Sequence, residues 1–328
     1  MKRFTTLVLA LALTLSLAAC GAKPADPAPA ADPAAAEKPF QIGIIQLAEH
    51  PALDAAREGF LAGLTDAGLV ENTDYTVDVQ NAQGEQAVCA TIATKFVNDK
   101  VDLILAIATP AAQAAAQATS TIPILVTAVT DPASSGLVKD NNMPGCNVSG
   151  TSDMNPVKEQ AALLQKLVPT AKNVGIMYCS SEDNSILQAK MARTELEALG
   201  LTVTDFTAAD SSEVQAVAQS VIGKVDAIYM PTDNLMANTI SATAAILTPA
   251  GVPIICGESA VVDGGATATF GISYEQIGRQ TGAMAVDILA KGANIAEMPI
   301  QYCSGEMALA LNDAAIAQLG LTVPADLK

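Results

Sequence analysis

The chain has 328 residues, half of them hydrophobic, and 34 acidic against 17 basic side chains give it a net charge of −17. That balance excludes binding to nucleic acid or anionic lipid through a basic surface. There is no Trp and only 3% of residues are aromatic, which argues against a sugar site built on stacking platforms.

In chain order, Lys2 and Arg3 form a short basic region, Thr5 to Leu17 an apolar one, and Leu17-Ala18-Ala19-Cys20 a small-residue cleavage site. Residues 1–20 read as a signal peptide. Its terminal cysteine makes it resemble a bacterial lipoprotein signal, which implies cleavage before Cys20 and a lipid on that thiol. The apolar run is too short to be a mature membrane span. Gly21 to Lys38 are mostly Ala, Pro, Asp and Glu, so residues 21–39 are expected to be a disordered tether, semi-extended at roughly 3 Å per residue. The remaining cysteines, Cys89, Cys146, Cys179, Cys256 and Cys303, show no metal-ligand or redox spacing. They read as small hydrophobes, with a single disulfide left open in an exported protein.

The folded part begins with the apolar run Gln41-Ile42-Gly43-Ile44-Ile45, a buried parallel strand, followed by the polar turn Gln46-Leu47-Ala48-Glu49-His50-Pro51. A helix follows, with Leu53, Ala56, Phe60, Leu64 and Ala67 at threes and fours before Gly68. Tyr75 to Gln80 alternate as a strand, and Gln86 to Asp99 form a helix with Val88, Ile92, Phe96 and Val97 inward. Val101 to Ala108 make another strand, which enters an alanine-rich helix through Thr109-Pro110; Ile122 to Val129 make a fourth, breaking at Thr130-Asp131-Pro132. Strands joined by crossover helices predict a parallel sheet.

The pattern then restarts. Asn173 to Tyr178 match the opening strand, Val225-Asp226-Ala227-Ile228 matches Val101-Asp102-Leu103-Ile104, and Val252-Pro253-Ile254-Ile255 matches Ile122-Pro123-Ile124-Leu125. The offsets for Gly43/Gly175, Asp102/Asp226 and Pro123/Pro253 are 132, 124 and 130 residues. One half echoes the other, which predicts an α/β protein of two similar Rossmann-like lobes with parallel sheets. Gly150-Thr151-Ser152-Asp153, Phe270-Gly271-Ile272-Ser273 and a segment near Met298-Pro299-Ile300 are the expected crossings of a three-segment hinge.

Glu49-His50-Pro51-Ala52-Leu53-Asp54, Ala108-Thr109-Pro110-Ala111-Ala112-Gln113, Val129-Thr130-Asp131-Pro132, Pro231-Thr232-Asp233-Asn234 and Gly271-Ile272-Ser273-Tyr274-Glu275-Gln276-Ile277-Gly278, taken with the lipoprotein signal, resemble the substrate-binding lipoproteins of ABC importers. The resemblance is to the branch of the type I periplasmic-binding-protein fold related to tryptophan and other aromatic amino-acid binders. It implies a cleft that closes on a ligand, permease subunits as partners, and a place on the outer face of the cell membrane, held by the lipid on Cys20. It also implies that the helix from Ser273 packs back on the first lobe. The expected lobes are residues 40–151 with 273–296, and 152–272 with 297–328.

Ligands of open α/β sheets bind beyond the carboxyl ends of the strands. The facing loops there carry Gln46, Glu49, His50, Thr109, Gln113, Thr130 and Asp131 from one half, and Ser180, Ser181, Glu182, Asn184, Ser185, Thr232, Asp233, Asn234 and Glu258 from the other. Arginine is absent from this set; Arg57, Arg193 and Arg279 lie elsewhere. A zwitterion suits such a cleft better than a di-anion. Hydroxyls of Ser180, Ser181, Ser185 and Thr109 with helix N-termini are expected to take its carboxylate, Asp233 or else Glu182 its ammonium, and Leu47, Leu235 or Met236 to line a slot for an apolar side chain. No cofactor is expected, and a lone histidine does not make a zinc site. The protein is expected to be monomeric and not an enzyme: G-x-S-x-G is missing, and a cysteine nucleophile would have only His50 as base. A ligand-presenting accessory of a membrane sensor and, less favoured, a two-cysteine enzyme using Cys179 and Cys256 are the alternatives.

Overall fold

A computed structural model describes residues 38–327. The expected signal peptide, the lipidation site at Cys20 and nearly all of the tether lie outside the described residues. The first half runs β1 (Phe40–Gln46), α1 (Pro51–Asp66), β2 (Tyr75–Asn81), α2 (Gln86–Asp99), β3 (Leu103–Ile107), α3 (Thr109–Ala118), β4 (Ile124–Val129) and β5 (Val148–Ser152). The second runs α4 (Val157–Leu167), β6 (Asn173–Cys179), α5 (Asp183–Ala198), β7 (Thr202–Ala208), α6 (Ser211–Val221), β8 (Ala227–Met230), α7 (Asn234–Leu247), β9 (Ile254–Cys256), α8 (Ser259–Asp263) and β10 (Ala268–Gly271). The chain ends with α9 (Tyr274–Leu289), β11 (Gln301–Tyr302), β12 (Ala308–Leu311) and α10 (Asp313–Leu319).

Two six-stranded sheets form, ordered β2-β1-β3-β4-β5-β11 and β7-β6-β8-β9-β10-β12. The first five strands of each sheet follow the same doubly wound order. Every residue of β3 and β4 is buried, as strands covered by helices on both faces require. The duplication reaches individual atoms. Asp102 accepts the Gln41 N–H at 2.7 Å at the start of β1, and Asp226 accepts the Lys172 and Asn173 N–H groups, both at 2.8 Å, at the start of β6. Helix α2 turns Cys89, Ile92, Ala93 and Phe96 inward, whereas Val88 is exposed. The inward stripe is therefore one residue off the expected one at its first position.

The chain passes between the sheets at residues 153–156, 272–273 and 303–307. The third passage lies beyond the expected boundary at 297, because Gln301 and Tyr302 pair in parallel with Thr151 and Ser152 of the first sheet. A two-residue edge strand leaves no periodicity to read. Helix α9 returns to the first lobe as the resemblance implied. A side chain at Gly59 would meet the Glu275 carbonyl oxygen at 2.2 Å, and one at Gly278 would meet that of Ala56 at the same distance, so α1 and α9 touch backbone to backbone.

Candidate ligand-binding site

The carboxyl ends of both sheets face one another, and their loops interlock. Gln188 of α5 donates to Thr130 Oγ1 beyond β4 at 3.0 Å and to the Thr232 carbonyl beyond β8 at 3.4 Å. Asn184, one turn earlier on the same face, donates to the same carbonyl at 3.3 Å. Asn155 donates to Thr232 Oγ1 at 3.1 Å, and Tyr274, the first residue of α9 after the second crossing, donates to Asp153 Oδ2 on the first at 2.8 Å. All of these side chains are buried.

Several buried polar atoms in this region lack any hydrogen-bond partner: both ring nitrogens of His50, Thr109 Oγ1, Asp153 Oδ1, Asn184 Oδ1 and Gln188 Oε1. An unpartnered buried polar atom costs about 1–3 kcal/mol, so a cluster of them at the meeting of two lobes marks this region as the candidate site. In the first lobe α1, α2 and α3 all begin without a side-chain cap. Neither His50 before α1 nor Ala108 before α3 caps its helix with a side chain. Ala108 holds φ at 84°, a strained conformation of the kind stored at functional sites.

The remaining residues named from sequence divide sharply. Gln46 is fully buried but engaged, donating to the Ala48 carbonyl and Asp54 at 2.7 and 2.8 Å and accepting from Arg57 at 2.6 Å. Glu49, Ser180 and Ser181 are exposed, and Ser181 donates to the Ala209 carbonyl. Asp131 accepts from the N–H groups of Ala133 and Ser134 and from Asn141, closing its own turn. Gln113 reaches across to Asp183 at 2.8 Å, a contact between lobes at the rim. Ser185 is buried and accepts from Asn184. Asp233, the expected ammonium partner, caps α7: Oδ1 accepts the Met236 N–H at 2.8 Å and Oδ2 the Cys179 N–H at 2.6 Å. Each oxygen accepts one backbone N–H, which gives Asp233 a capping role beside the ammonium role expected from sequence. Glu182 Oε2 likewise holds Asn234 Nδ2 at 2.6 Å.

The electrostatics are one-sided. Burial lowers His50 to about 4, with Asn234 and Asp54 opposing, so the ring is neutral near pH 7. Burial, then the charge of Asp233, raises Glu182 to about 7. Burial raises Glu258 to about 8; the Tyr274 hydroxyl opposes this, and the charges of Asp153 and Asp233 add to it. Asp153 is also raised by burial, against the hydrogen bond from Tyr274. Among the described residues no ion pair involves these acids; Arg57, Arg193 and Arg279 pair with Asp54, Glu197, Asp205, Asp66 and Glu275. Toward the mouth, Leu47, Ala48, Pro110 and Leu235 line a cavity of about 300 Å³ together with Glu182 and Asn234. Met236 instead packs into the core of the second lobe.

Cys179 and Cys256, the pair of the enzyme alternative, are poorly set up as nucleophiles. Burial pushes the Cys179 thiol up to about 11 and raises Cys256 further, and low thiolate content means low reactivity. All five described cysteines are unpaired.

Sequence reading missed Asp153 and Tyr274 as site residues, placing Asp153 only at a crossing and Tyr274 only at the start of a helix, and missed Asn155 and Gln188 altogether. Gln188 had a signal: Asn184, Ser185 and Gln188 are a polar set at helical spacing on a face of α5 that is buried, where an amphipathic helix carries apolar residues.

Two doubly wound lobes, three crossings and a buried polar cleft between them define a binding protein of the type I periplasmic-binding-protein fold. A family model described as ABC transporter substrate binding protein matches residues 41–328, and the chain belongs to that family. A tyrosine-binding protein of Clostridioides difficile is 41% identical over 264 residues, covering 80% of this chain and 76% of that protein. A Streptococcus pneumonia domain solved in complex with L-Trp is 35% identical with a TM-score of 0.85, covering 88% of this chain and 97% of the other. A ligand-free, open substrate-binding protein with adhesive properties from Clostridium difficile is 42% identical at the same coverage, yet its TM-score is 0.67. The better overall match to the ligand-bound relative, despite lower identity, agrees with the bonds between lobes: the lobes here are closed. The family's members act outside the cytoplasm and serve a permease, which favours transport over the sensor alternative.

Proposed function

We propose that the protein captures a zwitterionic aromatic or other apolar L-amino acid between its lobes and delivers it to the permease subunits of an ABC importer. The observation that carries this reading is the buried cleft in which unpartnered polar atoms meet neutral or acidic groups and no arginine or lysine. A di-anion would find no counter-charge there, whereas an ammonium offsets the buried acids and a carboxylate suits an open helix N-terminus. The C. difficile tyrosine-binding relative and the L-Trp complex support the aromatic class. Leu47, Pro110 and Leu235, within the otherwise largely polar lining of the mouth, offer the ring an apolar contact.

The test is a thermal-shift and calorimetric screen of amino acids, sugars and organic acids. Stabilisation by L-Tyr, L-Trp or L-Phe is expected, and stabilisation by a sugar alone would sink the reading. We also propose that the mature chain is a monomer anchored by a lipid on Cys20, which rests on the signal-like start of the chain. Cys20→Ala is expected to release a soluble protein with binding intact; retention of the variant in the membrane fraction contradicts it.

A further inference from the structure

We propose that Ala108 and Ala128 are positioning residues for the cleft: a strained pair on adjacent strands that fixes Thr109 and Thr130 on the closing face of the first lobe. This rests on the reading of the cleft as the ligand site.

Five non-glycine residues among those described hold a positive φ, and all lie in the first half of the chain: Asn72, Gln83, Lys100, Ala108 and Ala128. Asn72 stands in a turn and Lys100 ends α2, places where the left-handed region is ordinary. The alanines are different. Ala108 combines φ 84° with ψ 154°, a region that glycine alone enters without strain. Ala128 holds φ at 55° inside β4, where the strand carries one residue more than β5 between the pairs Val126/Gly150 and Val129/Ser152. Such a bulge re-aims the side chains around it. The second lobe repeats the strands without the strain, since β8 and β9 end with no non-glycine residue at positive φ.

The two alanines are tied to one another. The Ala108 N–H donates to the Thr127 carbonyl at 3.1 Å, and Thr127 directly precedes Ala128. Thr127 is held in turn by the Thr151 hydroxyl of β5, at 3.0 Å. Each alanine also stands just before a threonine buried where the lobes meet. Ala108 sets Thr109, whose hydroxyl has no partner. Ala128 sets Thr130, whose Oγ1 accepts from Gln188 of the second lobe at 3.0 Å and whose carbonyl accepts from the Ser152 hydroxyl at 2.6 Å. The bonds that hold the alanines join residues of the first lobe only, so separating the lobes breaks none of them. The strain is therefore present before the ligand arrives. A Cβ at each position denies the backbone the freedom glycine would have, and the two threonines are preorganised.

The experiment compares Ala108→Gly and Ala128→Gly with the wild-type chain by thermal unfolding, hydrogen exchange and calorimetric titration with L-tyrosine. Lys100→Gly, at a left-handed helix end away from the cleft, is the control. Each alanine variant is expected to unfold about 1–4 °C higher, because glycine relieves the strain. It is nevertheless expected to bind L-tyrosine about two- to fivefold more weakly, and Ala108→Gly to exchange the amides of Ala112 and Gln113 faster by about the same factor. Lys100→Gly is expected to change neither affinity nor that exchange. Tighter binding by Ala108→Gly would make the strain a force that opens the lobes, and overturns the proposal. A lowered midpoint in both alanine variants, or a raised midpoint with unchanged affinity, overturns it as well. If the wild-type protein binds no aromatic amino acid, the functional reading fails and the exchange comparison decides alone: unchanged protection of Ala112 and Gln113 in Ala108→Gly refutes the positioning role, and faster exchange upholds it.

Discussion

The two lobes begin corresponding helices in opposite ways. In the second, α7 follows β8 through Asp233, whose carboxylate accepts from Met236 N and so closes the helix end with the chain's own charge. In the first, α3 follows β3 through Ala108, which has no side chain to cap with and holds φ at 84°, and the next residue, Thr109, keeps its hydroxyl unpartnered. A helix N-terminus carries partial positive charge and free N–H groups whether or not it is capped. At α7 the chain satisfies that need with its own side chain, and at α3 it does not. The corresponding turns have thus diverged into one closed by its own acid and one without a side-chain cap.

The sharpest way to break this asymmetry is to give the first lobe an acid of its own. Thr109→Asp would set a carboxylate where the ligand's is expected, and the like charge should cost several kcal/mol, at least about a hundredfold in affinity by titration. The milder Thr109→Val removes only the hydroxyl and should cost about 1–3 kcal/mol of binding with little change in stability. In the second lobe the balance reverses. Asp233→Ala should lower unfolding stability by about 2–4 kcal/mol in denaturant titration, from a lost cap and an unpaired Cys179 N–H. A variant that keeps its stability but loses ligand would contradict the capping role.

The acids also set a pH dependence. Glu258 is raised by burial to about 8 and Glu182 to about 7, so between pH 6.5 and 8 the folded ligand-free state holds protons that the unfolded chain has already released. Stability therefore falls as pH rises through that window. Burial lowers His50 to about 4, so its opposing contribution, a loss of stability as pH falls, lies below pH 6.5. The midpoint of thermal unfolding should be higher at pH 6.5 than at pH 8, and Glu258→Gln should flatten the slope. A flat profile in the wild-type protein would refute this. The smallest effect is expected at the rim, where Gln113 reaches Asp183 and Gln86 reaches the Ser181 carbonyl at 3.1 Å across the lobes. Gln113→Ala should cost about 0.2–1 kcal/mol, seen by stopped-flow as faster ligand release with an unchanged association rate.

The fold was legible because its signals are local and repeated. The apolar runs of β1, β3, β4 and their echoes and the glycines after helices all act within a few residues of where they stand. Recurrence at nearly constant offsets exposed the duplication without any contact being known. The loops of the site were legible for the same reason, since strand ends in such sheets are where ligands lie.

What the sequence by itself determined, then, is the α/β order, the two halves, and the polar and largely acidic character of the cleft. Only the tertiary structure decided which polar atoms are spent and which are free. Asp233 and Asp153 are the same residue type at similar loops, yet two backbone N–H groups occupy one and a single phenol half-occupies the other. Gln188 became a site residue because α5 turns that face inward against Thr130 and Thr232, and β11 joined the first sheet through two residues. Hydrogen-bond satisfaction is settled between segments far apart in the chain, so no local pattern can report it.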